Sequence, residues 1–184
     1  MTTDQEQDLL RAMLVMATAG LDSMSKQLIR DSLPVLISCS DQAQNSFERF
    51  IARKLGDDKV SRDRVAANKF LARILSKPSP QIQLVEEYIF DLTKGSLQSS
   101  ESLFQVAGAL GVDPPTAGID PTVLSPIFSI RNSIVHELDI NLDAQRRNRH
   151  VRSQTSMISN TNRILLVSAG ILHCVDSEAR AERA

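Results

Sequence analysis

Three side chains within six residues offer the most chemistry in this chain: Arg131, Asn132 and His136. A guanidinium can grip a phosphate with two parallel hydrogen bonds, and an imidazole can move a proton at neutral pH. An amide between them can orient an oxygen. At about 100° per residue on a helical wheel, Asn132 and His136 are neighbours one turn apart. Arg131 falls between Leu138 and Val135, inside an apolar arc that includes Ile127, Ile130 and Ile134. An arginine in such an arc either snorkels to water or sits in a partly dry interface. A single helical histidine is more often structural than reactive. The three together make a polar wedge suited to a phosphate and ribose hydroxyls.

A second group follows directly. Gln145-Arg146-Arg147-Asn148-Arg149-His150-Val151-Arg152 is strongly basic, and no Asp or Glu lies between Asp143 and Asp176, where five arginines and two histidines occur. One reading is a solvated loop. The other is an electrostatic landing strip for a phosphate backbone, formed by Arg146, Arg147, Arg149 and Arg152. A third group, Asp22, Lys26 and Arg30, is spaced four apart with the acid first, as helix-stabilising pairs are. These residues form either an exposed charge ladder or, for Asp22 and Lys26, a support that faces the wedge and tunes it. There is no Gly-rich phosphate loop with a Lys, no Gly-x-Ser-x-Gly elbow and no His-Glu-x-x-His.

The elements that must position these groups read as helices nearly throughout. Leu10, Leu14, Ala17, Leu21, Met24 and Leu28 alternate steps of four and three, which predicts a long helix over about 4–33, ended or kinked by Pro34. Phe47, Phe50, Ile51 and Leu55 predict a second helix, closed by Gly56. Ser61 is placed as the N-cap of a third, and Pro80 as the first residue of a fourth that stops near Gly95. A short helix is expected from Glu101 to Leu110, a Pro- and Gly-rich loop from Gly111 to Pro121, and the wedge helix from Thr122 to Leu138. A last helix is expected from Gln154 to Val175. The resulting fold class is all-α, an antiparallel helical bundle with a long N-terminal helix.

Composition sets the outer limits. The chain has 184 residues, 21 Lys+Arg against 22 Asp+Glu, and 42% hydrophobic residues, ordinary values for one globular domain. No apolar run reaches the ~18 residues of a membrane span. The polar, acidic start is wrong for a secretory signal, so a cytoplasmic protein is expected, with Cys39 and Cys174 reduced. Two distant cysteines and three histidines predict no metal site and no cofactor. With no Trp and one Tyr, an aromatic base-stacking platform is not expected.

Arg131-Asn132-Ser133-Ile134-Val135-His136 resembles the signature of the HEPN superfamily, an Arg commonly followed by a polar residue, then a His after four to six residues; the gap here is four. The long opening helix with Gly20-Leu21-Asp22-Ser23-Met24-Ser25-Lys26 is similar to the branch termed RiboL-PSP-HEPN. The resemblance covers most of the chain. It divides it into a helical domain over 1–176, with a subfamily insertion over about 95–121, and a charged flexible tail over 177–184.

The resemblance implies a homodimer whose motif helices meet at a two-fold axis. It implies a metal-independent endoribonuclease, a toxin or antiviral defence effector that cuts tRNA or other RNA and is held in check by an antitoxin or regulatory partner. Arg131, Asn132 and His136 take the family's catalytic positions. A ribose 2′-OH would attack the adjacent phosphorus, one His136 acting as base and its symmetry mate as acid, leaving a 2′,3′-cyclic phosphate. Imidazole suits both roles because its ordinary pKa, about 6.5, keeps both forms present near neutrality. The alternative the family allows is a non-catalytic module that binds RNA or nucleotide, or scaffolds other proteins.

Overall fold

The computed structural model describes residues 3–56, 64–141 and 148–181. Over these residues the protein is an all-α bundle of seven helices: α1 (Asp4–Cys39), α2 (Asp41–Leu55), α3 (Arg64–Leu75), α4 (Pro80–Thr93), α5 (Ser100–Ala109), α6 (Pro121–His136) and α7 (Gln154–Ala181). The Ser61 cap assigned to α3 lies outside the described residues. The one β feature among them is an isolated antiparallel bridge, Ile140 to Arg149.

Helix α1 is the hub. It packs against α2, α4, α5 and α6, and most extensively against α7. It starts with a capping box, Thr3 and Glu6 each bonding the other's backbone N–H. It does not end at Pro34. Proline removes one ladder hydrogen bond and crowds the preceding turn, yet Leu33 and Leu36 on either side are fully buried. Their burial outweighs the local defect, and the helix runs on to Cys39. Ser40 then caps two helices: its N–H closes α1 on the Leu36 carbonyl, and its hydroxyl accepts from Ala43 N at the start of α2.

Gly56 ends α2 in the left-handed region, and Pro80 is the first residue of α4, both as the sequence predicts. Phe47, Phe50 and Tyr88 stack where α2 meets α4, with ring centroids 4.7 Å apart for the Phe50–Tyr88 pair. Burial pushes the Tyr88 hydroxyl up to about 12, against the pull of Arg53 and Arg49.

The segment 95–121 is an integral part of the core. Leu103, Val106, Ala107 and Leu110 of α5 are buried, as are Val112, Ala117 and Ile119 in the turns that follow. Helix α7 passes so close to these turns that a Cβ on Gly170 would lie 2.6 Å from the Ala117 carbonyl oxygen. Helix α7 also continues past Val175 to Ala181, with Arg180 and Asp176 paired at 2.9 Å. The tail expected from residue 177 is therefore helical as far as it is described. No helix among the described residues is long and apolar enough to cross a membrane.

Candidate functional site

Helix α6 carries the wedge. Asp120 caps it, accepting from the Thr122 N–H at 2.9 Å and from its hydroxyl at 2.7 Å, and Pro121 occupies the first turn. Leu124, Ile127 and Phe128 form its buried face. Arg131 continues that face by one turn, and there the burial fades. Its Nη1 donates to Asn132 Oδ1 at 3.0 Å, while its Nε is buried without a hydrogen-bond partner. A buried guanidinium N–H left unpaired is costly, and Arg163 Nε is a second such atom. One turn on, His136 is exposed at the last helical position, beside exposed Asn132. Ile134 is partly buried, but Val135 is 39% exposed and Leu138 67% exposed. The apolar arc around Arg131 is thus real, and its far end is left uncovered by the described residues.

The helix ends without a glycine. Leu138 and Asp139 both take positive φ, 54° and 59°. Non-glycine residues in this region carry strain of about 1–2 kcal/mol each, so other contacts must hold them there. Those contacts converge on Asp139, which is fully buried. Its carboxylate accepts from Arg11 Nε at 2.8 Å and from both Nε and Nη2 of Arg152. Burial alone would raise this carboxyl; the bonds and charges from Arg152 and Arg11 hold it below the usual range.

The same corner ties down the chain after α6. Arg11 Nη2 donates to the His150 carbonyl at 2.7 Å, and Gln7 exchanges two bonds of 2.8 Å with the Arg152 backbone. His150 N–H donates to the Asp139 carbonyl at 2.8 Å. Helices α1 and α7 therefore start at one corner and run side by side, while α6 arrives there by its C-terminus.

This arrangement corrects the basic strip. Arg152 is committed to Asp139 and is largely covered, so it is a structural residue. Arg149 reaches Asp8 at 2.8 Å and the Leu138 carbonyl at 3.3 Å while staying half exposed. Arg146 and Arg147 lie outside the described residues. Asp22 and Lys26 pair with each other at 2.9 Å and bond to none of Arg131, Asn132 and His136. The second oxygen of Asp22 instead accepts from Leu97 N at 2.6 Å. Asp22 thus fixes the stretch just before α5, which forms a wall next to Asn132. Arg30 is exposed.

That wall and α6 enclose a polar groove of 350 Å³. Gln98, Ser99 and Ser100 line one side; Ser125, Ser129, Asn132 and Ser133 line the other, above Phe128. Ser100 and Ser125 bridge the two sides at 2.9 Å. Sequence reasoning missed the groove and missed Gln7, Arg11 and Asp139. The signal for the last group was present: Gln7, Arg11, Leu14, Thr18, Leu21 and Ser25 step by four and three, and all are buried. A charged residue in such a stripe needs a buried partner. Among the described residues no group of three or more His, Cys, Asp or Glu side chains is placed to share a metal ion. No protein-family model matches the chain, and no curated protein or solved structure matches it either.

Proposed function

We propose that this protein is a HEPN-type, metal-independent endoribonuclease that works as a homodimer. The observation that carries the reading is Arg131. It extends a buried apolar face, its Nε is buried and unpartnered, it is bonded to Asn132, and it lies just over one turn from an exposed His136. A guanidinium held beside Asn132 in this way can grip a phosphate with two parallel hydrogen bonds.

Ile134, Val135 and Leu138 supply the uncovered apolar surface that a second copy would bury, bringing two Arg131–His136 sets together. One His136 takes the proton of the ribose 2′-OH, whose oxygen attacks the adjacent phosphorus. The P–O5′ bond breaks, and the other His136, protonated, gives its proton to the leaving O5′. Arg131 from each copy neutralises the charge gathering on the non-bridging oxygens. The products are a 2′,3′-cyclic phosphate and a 5′-OH. A cellular RNA such as tRNA is the substrate class, and a toxin or defence role with a restraining partner follows from the HEPN resemblance.

The test is incubation of wild type and His136→Ala with total tRNA in EDTA, followed by analysis of fragment ends. Cutting by wild type alone, with cyclic phosphate ends, is expected. Intact tRNA with a dimeric wild type would instead favour the non-catalytic binding module, and loss of cutting on chelation alone would overturn the metal-free scheme.

A further inference from the structure

Away from α6, a cavity of 510 Å³ opens between α2, α4 and α5. Arg49 and Arg53 line it from α2, Tyr88 and Asp91 from α4, and Phe104 and Gln105 from α5. Its size falls within the ~300–1,000 Å³ typical of small-molecule sites. No described residue lining it belongs to α6, so its use is independent of the ribonuclease reading.

Tyr88 gives the cavity its chemistry. The ring packs on Phe47 and Phe50, and the residue is only 3% exposed. It still lines the cavity, and its hydroxyl makes no hydrogen bond to any described residue. A nearly buried O–H without a partner costs free energy that a ligand acceptor would recover. Burial keeps the phenol protonated, and the charges of Arg53 and Arg49 both act on it. Arg49 is held in place: its Nε donates to the Asn45 carbonyl at 3.2 Å and its Nη2 to Ser46 Oγ at 3.1 Å. Ser46 in turn donates to the Gly108 carbonyl at 2.7 Å. Arg53, one turn on, makes no hydrogen bond or ion pair among the described residues. Two guanidiniums beside a phenolic donor form a seat for a phosphate.

Asp91 is the acidic residue in this wall. Its Oδ1 accepts from Lys94 at 2.7 Å and from Lys54 at 3.2 Å, so its charge is already countered from outside the cavity. Burial would raise its carboxyl; the bonds and charges of Lys94 and Lys54 hold it below the usual range. It stays an anionic acceptor, which suits ribose hydroxyls and not a phosphate. Phe104 is 39% exposed and offers one ring on which a base can stack.

We propose that this cavity binds a nucleoside 5′-phosphate, with the phosphate on Arg49, Arg53 and Tyr88, the ribose hydroxyls on Asp91 and the base on Phe104.

Calorimetric titration of the full chain tests this with adenosine 5′-monophosphate, adenosine, ribose 5-phosphate and inorganic phosphate. The monophosphate should bind, and each of the three fragments should bind at least about tenfold more weakly. Tyr88→Phe keeps the ring and removes only the hydroxyl. It and Arg53→Ala should each weaken the monophosphate by about tenfold and leave adenosine unchanged. Phe104→Ala should bring the monophosphate down to the level of ribose 5-phosphate. Thermal melts establish that each variant is folded. Arg131→Ala should bind the monophosphate as wild type does. No binding of the monophosphate by wild type would overturn the proposal, as would adenosine or inorganic phosphate binding just as tightly. Unchanged affinity in folded Tyr88→Phe and Arg53→Ala would also overturn it. Loss of binding in Arg131→Ala would move the nucleotide to α6 and sink the assignment to this cavity.

Discussion

His136 and Asp139 are three residues apart and have opposite duties. His136 is exposed and its side chain bonds to nothing among the described residues, so His136→Ala should leave the melting temperature unchanged and cut the proposed RNA cleavage by at least about 100-fold, the scale of a lost general acid or base. Asp139 is fully buried between two arginines. Asp139→Asn leaves Arg11 and Arg152 without their anion, and the expected loss is ~3–5 kcal/mol in denaturant unfolding. The pH dependence follows with its sign. The folded-state pKa of Asp139 is lowered, so its contribution is fully present above the unfolded value of about 3.9 and is lost as pH falls through the folded value. Wild type should therefore lose stability more steeply than Asp139→Asn as pH falls below about 4, as followed by melts in acid. The wedge residues were legible because their types and spacing are unusual in themselves. Asp139 was not, because its meaning depends on Arg11, 128 residues away in sequence.

At the scale of elements, sequence reasoning succeeds where the signal is local. Gly56, Pro80 and the steps of four and three are all read within a turn or two of chain. It fails where packing overrides local preference. Pro34 reads as an end and is instead carried within α1 by Leu33 and Leu36. Pro34→Ala should restore the missing ladder bond and stabilise the protein by up to ~3 kcal/mol, measured by chemical unfolding. The segment 95–121 reads as an insertion because it is the part least like the family, and its apolar residues close the core against α7. Gly170→Ala forces a methyl onto the Ala117 carbonyl and should destabilise by about 1–3 kcal/mol in the same assay.

Over the whole molecule, the end of α6 left uncovered by the described residues is the surface that the proposed dimer would bury. Leu138 sits in a left-handed turn at the corner where α1, α6 and the start of α7 meet, with its side chain facing outward. Leu138→Asp keeps the backbone requirement, since aspartate tolerates that conformation, and adds a charge to the apolar patch. In sedimentation experiments the variant should be a folded monomer, against the dimer proposed for wild type, and it should lose RNA cleavage with His136 intact. Sequence reasoning reached the fold class and placed Arg131, Asn132 and His136 on one helix. It did not reach the order of helices around α1, because that order is set by contacts between the first and last elements.

Helix α1, 36 residues and about 54 Å long, is made well before α7, which covers it most. During synthesis Leu14 and Leu21 must wait for their cover, and Arg11 has no Asp139 to hold until well over a hundred further residues have emerged. The corner that shapes the end of α6 can close only after Arg152 has been made. On the ribonuclease reading, the end of α6 that bears His136 would take its final shape only late in synthesis.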